Sequence, residues 1–137
     1  MTQQYSIAVR VYYEDTDAGG VVYYANYLRF MERCRSDWLR DAGFDIRDVT
    51  KRFGIIFAVR SASIQFHKPA RLSDLLAVSV KTSRPGRVSL NVTQQIHRDE
   101  ELLCSGEIKL ASLNVVSFDP QPIPPELLNR MNEWKTP

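Results

Sequence analysis

From position 11 to position 27 the chain reads Val-Tyr-Tyr-Glu-Asp-Thr-Asp-Ala-Gly-Gly-Val-Val-Tyr-Tyr-Ala-Asn-Tyr. Three carboxylates, Glu14, Asp15 and Asp17, stand just before the pair Gly19-Gly20. An acidic, glycine-containing turn between a strand and a helix is ordinarily a solvated linker with capping duties. A calcium loop shares the opening Asp15-x-Asp17, but its fifth position falls on Gly19 and its twelfth on Asn26 instead of glutamate. A catalytic reading also fits. The first amides of a helix lack internal acceptors and lie at the positive end of the dipole, where they can bind a developing oxyanion. Paired glycines let the backbone approach a ligand closely. A carboxylate beside such an amide is the minimum kit for acyl transfer from an activated ester, either by attacking the carbonyl or by activating water. Serine–histidine chemistry fits less well, because no G-x-S-x-G elbow occurs. Asp15 is assigned to turn or cap chemistry.

The elements that must position this segment are readable by period. Tyr5, Ile7, Val9, Val11 and Tyr13 alternate with smaller or polar residues, which predicts a strand over 5–13. From Tyr24 to Ala42 the apolar residues Tyr27, Phe30, Met31, Cys34 and Trp38 follow helical spacing, and Gly43 is a natural stop. Glu32 with Arg35, Arg33 with Asp37, and Asp37 with Arg40 are placed to pair on the wet side. Residues 44–52 form a short helix or an irregular connector. Four strands follow. Ile56, Ala58, Ala62, Ile64 and Phe66 are assigned to one face, interrupted by Arg60. Leu76, Val78 and Val80 carry the next strand, and Val88, Leu90, Val92 and Ile96 the one after. In the last, Ile108 and Leu110 oppose Leu113 and Val115, which suggests a bulge near Ala111-Ser112. The short linkers 68–71, 84–87 and 98–101 read as hairpin turns. Pro124-Pro125-Glu126 opens a final helix with Leu127, Leu128, Met131 and Trp134 inward. One long helix covering a long, curved antiparallel sheet is an α+β solution, and its free sheet edge invites pairing with a second copy.

Composition narrows the function classes. With 137 residues the chain is one domain's worth, 1–137, and its net charge of +2 is too small for a nucleic-acid binder driven by bulk electrostatics. Two cysteines, Cys34 and Cys104, are too few for a disulfide framework, and neither they nor His67 and His97 show zinc spacing. Without a signal-like N-terminus or an apolar run near the ~20 residues of a membrane span, the expectation is a cytoplasmic protein with no membrane span.

The run Tyr-x-Asp-Thr-Asp-x-x-Gly-x-Val-Tyr-Tyr-x-x-Tyr, followed by an amphipathic helix and by Phe66-x-x-Pro69-Ala70-Arg71, resembles the acyl-CoA thioesterases of the 4-hydroxybenzoyl-CoA thioesterase class. It is most similar to the short thioesterases encoded with the Tol–Pal envelope system (YbgC type). The resemblance spans nearly the whole chain. It implies a hot-dog fold, in which a central helix is wrapped by a curved five-stranded antiparallel sheet. It implies that Asp17 is the catalytic carboxylate and that the backbone amide at or beside Tyr24 is the oxyanion donor. It implies a homodimer or homotetramer with active sites between subunits and acyl-CoA as substrate; an acyl carrier protein is a further candidate partner, and no cofactor or metal is expected. One departure stands out: Tol–Pal-type members commonly carry histidine where this chain has Tyr24, which leaves aliphatic against aromatic preference open.

Arg84 and Arg87 flank Pro85-Gly86, with Ser89 following. They read either as an exposed basic tip or as a clamp for coenzyme A phosphates, whose oxygens guanidinium forks match. Glu32 is assigned to solvent pairing, both histidines to the surface, Cys34 to the interior, and most of Tyr12, Tyr13, Tyr23, Tyr24 and Tyr27 to packing. Two other functions compete with hydrolysis. A hot-dog dehydratase or hydratase needs a histidine paired with an acid, and neither histidine is near Asp17 in sequence. A carrier-protein-binding scaffold with weak hydrolysis is the second alternative.

Overall fold

The computed structural model describes residues 4–82 and 85–133. The elements run β1 (Tyr5–Arg10), α1 (Tyr24–Asp41), α2 (Ile46–Phe53), β2 (Ile55–Phe66), β3 (Leu75–Thr82), β4 (Ser89–Arg98), β5 (Glu101–Asn114) and α3 (Pro125–Glu133). Among the described residues the strands form one antiparallel five-stranded sheet in the order β1-β3-β4-β5-β2. This is the expected α+β architecture. α1 packs over β1 and β3, and α2 returns against β2. No helix of the described residues is long and apolar enough to cross a membrane.

The helical stripe is where its spacing puts it. Tyr27, Phe30, Met31, Cys34 and Trp38 are all buried. The helix comes close to the sheet because Gly106 has no side chain: a methyl there would meet Ile64 Cδ1 at 2.8 Å and Met31 Sδ at 3.3 Å. Residues 46–53 are helical. The Asp45 carboxylate accepts the Arg47 N–H at 2.9 Å at one end, and Gly54, with φ 67°, closes the other. In α3, Leu127 and Met131 are buried as expected, whereas Trp134 lies outside the described residues.

Several expectations need correction. β1 stops at Arg10, and residues 13–15 form a 3-10 turn, because the Tyr12 N–H is taken by the Asp15 carboxylate at 2.8 Å. The linker 68–71 is not a hairpin turn. β2 pairs with β5, so the chain crosses between β2 and β3, while the other two linkers do join neighbours. The expected bulge at Ala111-Ser112 is absent, since β5 runs in register there. The register instead shifts between Val59 and Ser61, at Arg60 of β2. That extra residue reverses the alternation, so Ile56 and Ala58 face away from the side shared by Val59, Ala62, Ile64 and Phe66. Finally, Arg35 is not paired with Glu32 in solvent. Its Nη1 donates to Oε1 of the fully buried Gln94 at 2.8 Å, and Gln94 Nε2 donates to Met31 O at 3.0 Å.

The two halves of the sheet are unequally covered. Of the β2 side chains on the helix-facing side, Val59 and Phe66 are each 53% exposed. β2 is also an edge strand.

Candidate active site

The acidic turn folds into a small closed loop ahead of α1. Thr16 bridges Val22, the Asp17 N–H donates to Val21 O at 2.9 Å, and Gly20 N–H returns to Asp17 O at 3.0 Å. The second of these bonds needs a tight turn, and Gly20 supplies it with φ 78°. One oxygen of the exposed Asp17 carboxylate, Oδ1, accepts the Gly19 N–H at 2.8 Å. Its other oxygen has no hydrogen-bond partner among the described residues. Asp15 serves the turn, as its type suggests. Beyond its carboxylate bond to Tyr12, its carbonyl accepts from Tyr23 N–H at 3.0 Å and from Asn26 Nδ2 at 2.9 Å. Both carboxylates of the Asp15-x-Asp17 pair thus hold backbone amides of their own turn.

α1 begins at Tyr24, and no side chain caps it. The Tyr24 amide has no acceptor within the helix, as for any first-turn N–H. It is therefore available to an incoming oxygen. The helix start is fixed from a second direction by residues 69–71, whose importance sequence spacing alone does not reveal. Val22 N–H donates to Ala70 O at 2.8 Å, and the Ala70 N–H donates to the hydroxyl of buried Tyr27 at 3.0 Å.

Aromatic rings line the same region. The Tyr24 ring lies 4.9 Å from Tyr23 and edge-on to Phe66 at 6.3 Å, and Phe66 also meets Tyr27 at 5.6 Å. Tyr12, Tyr13, Tyr23 and Tyr24 are exposed; within the chain only Tyr27 of the five dense tyrosines packs into the core. The neighbouring Tyr24 hydroxyl holds Tyr23 above the usual phenol range, and the Asp17 carboxylate pushes in the same direction.

The basic candidates are not near this loop within one chain. Arg87 and Ser89 stand at the start of β4, whereas Arg98, at its end, is the residue that touches the 69–71 segment. Ten residues of strand put about 30 Å between them. Arg87 is exposed and Ser89 half-buried, with Ser89 O accepting the Gly86 N–H at 2.8 Å. Arg84 lies outside the described residues.

The arrangement offers an exposed carboxylate with one free oxygen, an uncapped helix amide, and aromatic rings beside the helix start. The chain's relatives agree with that chemistry. The thioesterase superfamily profile matches residues 19–105. An acyl-CoA thioesterase YbgC from Haemophilus influenzae is 36% identical over 123 residues, covering 90% of each chain. A crystal structure described as a probable thioesterase, from Bartonella henselae, superposes with a TM-score of 0.83 at 34% identity, covering 88% of this chain and 99% of that one. The fold also matches a 1,4-dihydroxy-2-naphthoyl-CoA thioesterase from Synechocystis, with a TM-score of 0.89 at 20% identity over 98% of this chain and 99% of that one. By profile, by sequence and by the helix-on-sheet fold, this chain belongs to the thioesterase superfamily.

Proposed function

We propose that this chain hydrolyses acyl-CoA thioesters to a free acid and coenzyme A, with Asp17 as the reacting carboxylate and the Tyr24 amide as oxyanion donor. The observation that carries this reading is that one short segment holds both groups. An exposed carboxylate with one unbonded oxygen and an uncapped helix start sit in one short loop, both fixed by backbone hydrogen bonds. A thioester carbonyl is already electrophilic, so one base or nucleophile and one donor aimed at the developing charge suffice. Asp17 either attacks the carbonyl carbon, giving a mixed anhydride and expelling coenzyme A thiolate, or takes a proton from an attacking water. Single-turnover hydrolysis in ¹⁸O water identifies the covalent route if label appears on Asp17.

The complete site requires a second copy. Arg87 and Ser89 are too far from Asp17 to share one substrate with it inside one chain, and β2 offers both an unpaired edge and uncovered apolar side chains. Pairing two β2 edges covers that surface and lets the partner present its phosphate-binding residues. A pair of such dimers would make the tetramer. Arg87, with Arg84 and Ser89, is proposed to hold coenzyme A phosphates; an acyl carrier protein lacks the adenosine 3′-phosphate, so an Arg84→Ala/Arg87→Ala double variant should raise KM for acyl-CoA more than for an acyl carrier protein.

The deciding experiment is Asp17→Asn. Asparagine keeps the oxygen that accepts the Gly19 N–H, so the loop is retained. Release of free thiol from a panel of acyl-CoAs should show kcat down by ~10²–10⁴, the usual worth of a positioned acid or base. Full activity, with deamidation excluded by mass, overturns the proposal.

A further inference from the structure

The catalytic reading leaves a partly sheltered ion network unaccounted for at the end of β4. Arg98 Nη1 donates to Asp74 Oδ2 at 2.7 Å and to Pro69 O at 3.3 Å, and Nη2 donates to Glu101 Oε1 at 2.5 Å. Lys68 Nζ reaches the other Glu101 oxygen at 2.8 Å. Arg98 and Asp74 are mostly sheltered, with side chains 27% and 21% exposed.

Two consecutive peptide groups connect this network to the helix start. Pro69 O and the Ala70 N–H are opposite ends of one peptide plane. Arg98 holds the carbonyl end, and the Tyr27 hydroxyl accepts the N–H end at 3.0 Å. Ala70 O and the Arg71 N–H are opposite ends of the next. Asp74 Oδ2 accepts that N–H at 2.8 Å, and the carbonyl accepts the Val22 N–H at 2.8 Å. Because peptide planes are rigid, each transmits position from one end to the other. Val22 and Tyr27 lie on either side of Tyr24. The Arg98–Asp74 pair is therefore linked through two peptide planes to Val22, just before α1, and to the hydroxyl of Tyr27 in its first turn.

We propose that Arg98 and Asp74 are positioning residues for thioester cleavage, setting the Tyr24 amide against the Asp17 loop. The inference rests on the Asp17–Tyr24 reading above. In this role neither residue acts on the substrate directly. Their effect is on the geometry of the oxyanion donor, and a misplacement of 1 Å at a reacting centre can cost about 10²-fold in rate. Among the described residues the side chains of Glu101 and Lys68 make no hydrogen bond to residues 69–71 and reach them only through Arg98, so this outer half supplies an internal control.

The test compares Arg98→Gln, Asp74→Asn, Tyr27→Phe and Glu101→Gln with the unaltered chain and with Asp17→Asn, by steady-state thiol release from the acyl-CoA of the panel turned over fastest. Each is assayed at least 15 °C below its own melting temperature. The expected result is a kcat lowered about tenfold in Arg98→Gln and Asp74→Asn, and severalfold in Tyr27→Phe, with KM within a factor of two; Arg98→Lys recovers part of the loss. Glu101→Gln, which keeps an acceptor for Arg98, should leave kcat unchanged. Tyr27→Phe is isosteric and keeps the core packed, so it answers the question even where the charge variants fold poorly. The proposal is overturned if Tyr27→Phe and Arg98→Gln keep full kcat, or if Glu101→Gln loses as much as Arg98→Gln, which would reduce the network to ordinary stability. Should Asp17→Asn stay active, the underlying catalytic reading fails instead, and the two failures are distinguishable.

Discussion

A methyl group added at Gly19 tests the carboxylate's placement without removing it. Gly19, unlike Gly20, is not in the positive-φ region, so its backbone accepts alanine. Its Cβ, however, would stand 3.2 Å from Asp17 Oδ1, the oxygen held by the Gly19 N–H at 2.8 Å. Relieving that contact requires the carboxylate to retreat by a few tenths of an ångström. If 1 Å of misplacement costs about 10²-fold, a shift of roughly 0.3–0.5 Å costs about 4–10-fold in kcat. Gly20→Ala is the natural comparison. It meets nothing within 4 Å, but φ of +78° makes alanine strained there, at about 1–2 kcal/mol. The first variant should therefore lose kcat with a nearly unchanged melting temperature, and the second should lose stability. The assay is thiol release with KM and kcat separated, alongside calorimetry. Equal kcat in Gly19→Ala and the unaltered chain would refute the claim that this carboxylate oxygen is under positional control.

The remaining predictions concern stability. Burial pushes the Cys34 thiol up to about 12 and the Cys104 thiol up to about 11, so neither should react with a disulfide reagent at pH 8 until the chain unfolds; rapid labelling of the native protein would contradict the packing of α1. The same burial has an alkaline consequence. The folded chain keeps both protons where the unfolded chain releases them, so stability is full below about pH 8.5. It should then decline as pH climbs towards 11–12, read as a falling denaturation midpoint. Asp45→Ala removes the acceptor for the Arg47 N–H at the start of α2 and should cost about 1 kcal/mol in chemical denaturation.

What the sequence reveals and what it hides follow from how each interaction is encoded. The stripe from Tyr27 to Trp38 is legible because helical burial is periodic in side-chain type. The pairing of β2 with β5 is not, since both strands alternate similarly and nothing local says which neighbour each will find. The one-residue slip at Arg60 is invisible for the same reason, yet it decides that Ile56 and Ala58 face away from Ala62. Arg35 looks like a solvent residue until Gln94, 59 positions away, is placed beneath it. Asp17 can be singled out as a candidate because a carboxylate is a side-chain feature that the sequence displays. The grip of residues 69–71 on the helix start is not legible, because on the 69–71 side it is made by backbone amides and carbonyls that every residue possesses.

Exposure at the candidate site leads to one more expectation. Asp17, Tyr23 and Tyr24 are all open to water in a single chain, yet an oxyanion donor is worth most where water is excluded. The uncovered strand ends at this same place: Phe66, the last residue of β2, touches the rings of Tyr24 and Tyr27. Pairing of β2 edges would thus cover the apolar side chains, shelter the aromatic lining and bring in the partner's basic residues in a single event. Activity should then belong to the assembly. Specific activity should stay constant at high protein concentration and fall on dilution, in step with the loss of dimer measured by sedimentation. Substituting Ala62→Lys, on the uncovered side of β2, should move that dilution threshold upward, because it places a charge on the surface that such pairing would bury. A monomer that keeps full specific activity, at dilutions where no dimer remains, would show that one chain holds everything the reaction needs.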